Sequence, residues 1–235
     1  MSTYLWVNLG AIAIPLAFSF HRRLRFDRTW FALWPALLGT AAVFIAWDVL
    51  YTHWGVWGFN PLHLTGHEWL GLPVEEWLFF ICIPYACLFP YHWLGYAIER
   101  DWLGGAVGTI SRGLSLALLA LAAIFFDRIY TSVTCAGTAV LLLAHLHWIR
   151  SLYLGRFFLA YIVILLPFLL VNGILTGSWI EEEGVWYDDG ENLNLRGMTI
   201  PVEDFIYAML LLLVNVTLFE ALKSRRRKGA DVAGD

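Results

Sequence analysis

The sequence predicts an all-α integral membrane protein of seven transmembrane helices, with helices 1–3 and 5–7 forming a parallel internal repeat joined by helix 4. Three observations predict it. The 235 residues are 60% apolar and 14% charged, with a mean hydropathy of +0.65, against roughly 45–50% and ~25% in soluble domains. Apolar runs recur at the ~20-residue length that a bilayer crossing needs. Finally, one motif occurs twice, as Pro73-Val74-Glu75-Glu76-Trp77 and as Pro201-Val202-Glu203-Asp204-Phe205.

Taken in order, the spans fall at about 3–20, 29–51, 73–98, 107–126, 129–149, 157–176 and 201–222. The first run has no basic stretch before it and no small-residue cleavage site after it, so it reads as a retained helix. Charge sets the orientation. With the N-terminus outside, 13 of the 15 basic residues fall on inner segments: Arg22, Arg23, Arg25, Arg28, Arg100, Arg112, Arg150, Arg156, Lys223, Arg225, Arg226, Arg227 and Lys228. Only Arg128 and Arg196 fall outside. This is the positive-inside bias, and it puts the C-terminus in the cytoplasm, with a prokaryotic inner membrane as the expected location. The chain divides into a first repeat (1–98), a connector carrying helix 4 (99–128), a second repeat (129–222) and a basic tail (223–235). Cys82, Cys87 and Cys135 lie inside apolar runs and read as small core residues.

The two long outer loops, 52–72 and 177–200, resemble each other. Gly55-Val56-Trp57 stands 18 residues before Pro73, and Gly184-Val185-Trp186 stands 17 before Pro201. Upstream, Asp48 and Asn172 each precede a threonine, Thr52 or Thr176, by four positions. A repeat offset of four spans keeps both copies parallel, with a pseudo-two-fold axis along the membrane normal. Glu75-Glu76 and Glu203-Asp204 then share one depth near the outer leaflet, where Asp48 and Asn172 join them around a central cavity.

Proline followed by acids is also an ordinary helix start, and acids there gain ~0.3–1 kcal/mol from the helix dipole. Duplication, pairing and crowding by Trp69, Trp77, Phe79, Phe80, Phe205 and Tyr207 favour function over capping. An ionised acid inside a bilayer costs about 2.5–3.5 kcal/mol. Two adjacent acids in a dry site therefore favour a state in which one keeps its proton, and such a pair is equipped for acid–base work. Asn215, deep in span 7, reads as an interhelical hydrogen bond.

Arg25-Phe26-Asp27, Trp47-Asp48, Gly55-Val56-Trp57, Leu72-Pro73-Val74-Glu75-Glu76-Trp77-Leu78-Phe79-Phe80 and Ile200-Pro201-Val202-Glu203-Asp204-Phe205 together resemble the membrane-integral lycopene cyclases. Bacterial members consist of two small subunits, whereas archaeal and fungal members are one fused chain. The resemblance covers nearly the whole sequence. One departure is Tyr91-His92, where the family pattern has Tyr-Glu. The resemblance implies redox-neutral ring closure at the ends of linear lycopene, giving β-carotene. An acid protonates the terminal alkene, the next double bond attacks the cation, and a base removes a ring-adjacent proton. Glu75 or Glu203 is the expected donor and Glu76 or Asp204 the acceptor, with the assignment left open. Asp48, Asn172, Trp54, Trp57, Trp77 and Tyr207 are the expected substrate contacts, Trp69 being a further candidate, since aromatic faces stabilise a desolvated cation by ~2 kcal/mol or more. The scheme needs no cofactor or metal. The expected partners are the lipid bilayer and a hydrophobic carotenoid, with no nucleic acid; the oligomeric state stays open.

Rival readings meet obstacles in the residues. A retinal receptor needs a lysine in a span, and Lys223 and Lys228 both lie in the tail. Di-iron chemistry needs clustered histidines, and the seven here are scattered. A Mg²⁺-dependent prenyl transferase built on Asp188-Asp189 and Glu191 is weaker than a solvated acidic loop. A proton-coupled transporter uses intramembrane acids too, but needs a polar path inward, and spans 3 and 7 are almost wholly apolar below the motif. A carotenoid-binding protein without catalysis is the remaining alternative.

Overall fold

Backbone that enters lipid must satisfy its own hydrogen bonds, and among the described residues the apolar runs do so as seven α-helices. These are α1 (Thr3–Phe18), α2 (Trp30–Trp54), α3 (Val74–Ala97), α4 (Val107–Ile124), α5 (Ile129–Ala144), α6 (Leu154–Leu175) and α7 (Val202–Ala233). The computed structural model describes residues 2–98 and 103–233, with side chains as far as Arg226. Arg100 and the start of the expected connector lie outside the described residues, as do the side chains of Arg227 and Lys228 and the last two residues of the tail.

Among the described residues, six helical segments are long and apolar enough to cross a membrane, and α1 is a shorter apolar helix beside them. α1 is shorter than the sequence predicts. Ser2 caps α1 through its hydroxyl, which accepts from the Leu5 N–H, and the helix ends at Phe18 rather than residue 20. Its 16 residues reach about 24 Å at ~1.5 Å each. By contrast, α7 does not stop at residue 222. It continues to Ala233, because arginine, lysine and alanine sustain a helix as well as leucine does. α5 reaches the predicted residue 149 through a π-helical turn, His145–Ile149.

The packing pairs up under the exchange of α1 with α5, α2 with α6 and α3 with α7. α1 lies against α3 as α5 lies against α7, and α2 lies against α7 as α3 lies against α6. α4 packs on the outside of α5.

The loops match in finer detail. Strand β1 (Trp57–Phe59) pairs antiparallel with β4 (Val185–Tyr187), opposing Trp57 to Tyr187 and Gly58 to Trp186. The two Gly-Val-Trp segments thus meet across the centre. Each loop then closes with a two-stranded turn leading into its acid-bearing helix: β2 (Glu68–Trp69) with β3 (Leu72–Pro73), and β5 (Arg196–Gly197) with β6 (Ile200–Pro201). Left-handed backbone recurs at matching places, at Gly66 and Asn194 and again at Leu70 and Met198. At the other end of the bundle Arg25 (φ 44°) and Arg150 (φ 50°) do the same. There the main core gathers Phe26, Leu33, Tyr85, Leu88, Phe157 and Phe219, all almost fully buried.

Candidate active site

A cavity of about 770 Å³ runs between α1, α3, α6 and α7 and is roofed by β1 and β4. Along α3 its wall extends from Glu76 to Pro90, about 21 Å at ~1.5 Å per residue. Most of that wall is apolar. The acids gather at one end, because α3 and α7 begin there, as do α1 and α5, while α2 and α6 finish there. Asp48, Glu76, Tyr130, Asn172, Tyr187 and Asp204 all line that end.

Two unequal clusters face each other across it. In the first, the Tyr4 hydroxyl donates to Glu76 Oε2, and the Trp57 indole N–H donates to Asp48 Oδ1 at 2.5 Å. Asp48 stands close enough to Glu76 for their charges to repel, and its Oδ2 is buried without a protein partner. The second cluster centres on Asp204. Tyr130 donates to Oδ1 at 2.6 Å, while Tyr187 and Asn172 Nδ2 donate to Oδ2 at 2.9 and 3.0 Å. Tyr130 stands at the head of α5 as Tyr4 does at the head of α1, and Asn172 lies near the end of α6 as Asp48 does near the end of α2. Where the first half has two carboxyls, the second has one carboxyl and three donors. Desolvation of its hydroxyl, and then the adjacent Asp204, push the Tyr187 phenol well above its ordinary range, so it stays a donor.

The other acid of each pair does something different. Glu75 and Glu203, both fully buried, are absent from the cavity wall. Glu75 Oε1 accepts the Thr65 N–H at 2.6 Å; Glu203 Oε1 accepts the Leu193 N–H at 2.8 Å and the Thr131 hydroxyl at 2.6 Å. Both expected donors, Glu75 and Glu203, are thus placed off the cavity wall. At successive positions on a helix, side chains point about 100° apart, so one acid of each pair faces inward and its neighbour turns to the loop.

Of the expected aromatic contacts, Trp57 and Tyr207 line the cavity. Trp54 does not; it is 56% exposed. Trp77 stacks on the exposed Trp69, ring centroids 4.3 Å apart, away from the site. Asn215 is no interhelical bond: its Nδ2 donates to Leu211 O within α7. Sequence reasoning passes over Tyr4, Tyr130 and Tyr187, although Tyr4 and Tyr130 head equivalent helices and Tyr187 follows a Gly-Val-Trp. It also passes over Glu220, the repeat partner of His92. Glu220 accepts from Arg156 at 2.7 Å and from Tyr91 at 3.0 Å, at the far end of α7.

A many-helix membrane protein with paired carboxyls at the head of a greasy cavity is the class these features define. The family model for lycopene cyclase matches residues 1–94 and 127–222, and the chain belongs to the lycopene cyclase family. Membership implies an enzyme of carotenoid cyclisation with a carotenoid as substrate. No curated protein and no solved structure matches the chain.

Proposed function

We propose that the protein is a lycopene β-cyclase that converts linear lycopene ends to the β-rings of β-carotene by proton-initiated, redox-neutral cyclisation. One observation carries this reading: Glu76 and Asp204, one from each half, meet at the polar end of a single apolar cavity.

The donor inventory supports one division of roles. Two carboxyls, Asp48 and Glu76, share a site with one phenol and one indole N–H, and a shared proton relieves their repulsion. Asp204 receives three donors, an environment that suits an ionised carboxylate. Glu76, backed by Asp48, therefore adds its proton to the terminal alkene. The neighbouring double bond attacks the tertiary cation and closes the ring, and Asp204 takes the ring-adjacent proton. No atoms are gained or lost. Returning that proton from Asp204 to the Asp48–Glu76 pair across the shared cavity resets the enzyme. Trp57 and Tyr207 present aromatic faces to the cation, and the apolar wall keeps water from quenching it. Glu75 holds the loop that carries Trp57 through the Thr65 N–H, and Glu203 holds the loop that carries Tyr187 through the Leu193 N–H.

The same reading includes seven spans with the N-terminus outside, the two halves 1–98 and 129–222 related by a two-fold axis along the membrane normal, a connector at 99–128 and a basic end from 223. The matched packing and matched left-handed positions support it, and a reporter fused after Ala233 is expected to be active only in the cytoplasm. Expression in a lycopene-accumulating bacterium should yield a cyclised pigment. Stable membrane insertion without any cyclised pigment would reject the activity. Proton-coupled transport is disfavoured because the buried Leu212, Leu213 and Val216 separate Asp204 from Glu220 on α7. Proton flux in carotenoid-free liposomes would revive it.

A further inference from the structure

We infer that the carotenoid reaches the acids sideways from the lipid, through a gap between α1 and α6, and that aromatic side chains plug the equivalent gap between α5 and α2. This rests on the cyclase reading and adds the route and the residues that set it.

The open gap is visible in the cavity wall. Trp6, Gly10 and Ile14 of α1 and Leu170 of α6 line the cavity and are themselves exposed. A side chain at Gly10 would meet nothing within 4 Å. On α6 the wall includes Phe168, Val171 and Leu175. Asp48 and Asn172 fix the offset between α2 and α6 at 124 residues, and the same offset carries these three back to Phe44, Trp47 and Tyr51. The aliphatic Val171 and Leu175 thus correspond to two large rings. Those rings are packed together: Phe44 stacks on Trp47 at 5.7 Å, and Trp47 meets Tyr51 edge-on at 5.5 Å. Tyr207 closes the group at 5.4 Å from Phe44 and 5.3 Å from Trp47. Its own other side forms part of the open cavity, so it divides a filled gap from an empty one. An apolar wall continuous with the acids and facing lipid suits a long, thin hydrocarbon chain whose end must reach the carboxyls.

The test transplants the plug. Val171→Trp puts into the open gap the residue that occupies the closed one, and Gly10→Phe fills the opposite lip. Val140→Trp, at the exposed α5 position equivalent to Ile14, is the control. In a lycopene-accumulating host, with membrane levels matched, each lip variant is expected to lose at least about tenfold in cyclised pigment, given the sensitivity of catalysis to misplaced substrate. The control should stay within about twofold, as exposed positions ordinarily do. Wild-type pigment yield in both lip variants would overturn the proposal. If the unaltered chain makes no ring at all, the activity is wrong, and lycopene binding to purified protein in nanodiscs, read by tryptophan quenching, still judges the route. Binding lost in Val171→Trp upholds it; undiminished binding overturns it.

Discussion

Glu75 and Glu76 are chemically near-identical neighbours, and only their direction separates their work. Glu76 faces the cavity with Tyr4 on one oxygen; Glu75 accepts the Thr65 N–H. Glu76→Gln should therefore lower cyclisation about 10²- to 10⁴-fold, the usual worth of a positioned acid, with expression unchanged. Asp204→Asn should do the same from the basic side. Glu75→Gln keeps an acceptor for Thr65 and should retain activity within about tenfold. Glu75→Leu leaves that amide unpaired, a loss of ~1–3 kcal/mol that thermal denaturation in detergent would register. Equal losses in Glu75→Gln and Glu76→Gln would merge the two roles again. The motif makes these four acids legible in the sequence, but a helix turns each successive side chain by about 100°. Which acid meets the substrate depends on how the helix is rotated, and only packing decides that.

Among the elements, the existence and order of the helices are readable in the sequence, because hydropathy and helix length share one cause, the thickness of the bilayer. The ends are less so. α1 ends early and α7 runs on, since past the apolar run nothing in lysine, arginine or alanine stops a helix. The loops hide more. Leu70 and Met198 adopt left-handed backbone at φ 52° and 61° in matching turns, a conformation that costs a residue with a Cβ roughly 1–2 kcal/mol. Both side chains are largely exposed, so packing does not justify them. Leu70→Asn and Met198→Asn, with a residue that tolerates this conformation, should each stabilise the protein by about 1 kcal/mol, seen as a higher melting temperature. A fall in both would mean that these side chains make contacts with lipid that matter. Duplication of Pro-Val-acid-acid announces the repeat in the sequence. The antiparallel meeting of the two Gly-Val-Trp strands does not follow from it, because strand pairing is a relation between distant segments.

At the scale of the whole molecule, near-symmetry matters less than its failures. Asp48 answers to Asn172, Gly58 to Tyr187, and Trp47 to Val171. The first two leave one cluster with two carboxyls and the other with one carboxyl and three donors; the third sets an aliphatic side chain where the other half has a large ring. A fused chain can specialise its halves in this way, whereas two identical subunits would carry the same residue at both places. Residues of β1 and β4 line the acid end of the cavity. On the proposed lateral route, a linear molecule with two identical termini presents only one of them at a time. To finish, it must back out into the bilayer, turn end for end and return, with the surrounding lipid serving as its turntable. A one-ringed compound should accordingly exist free in the membrane, and its share should grow as lipid is added to a fixed amount of protein. A share indifferent to dilution would mean that the molecule turns around without ever letting go.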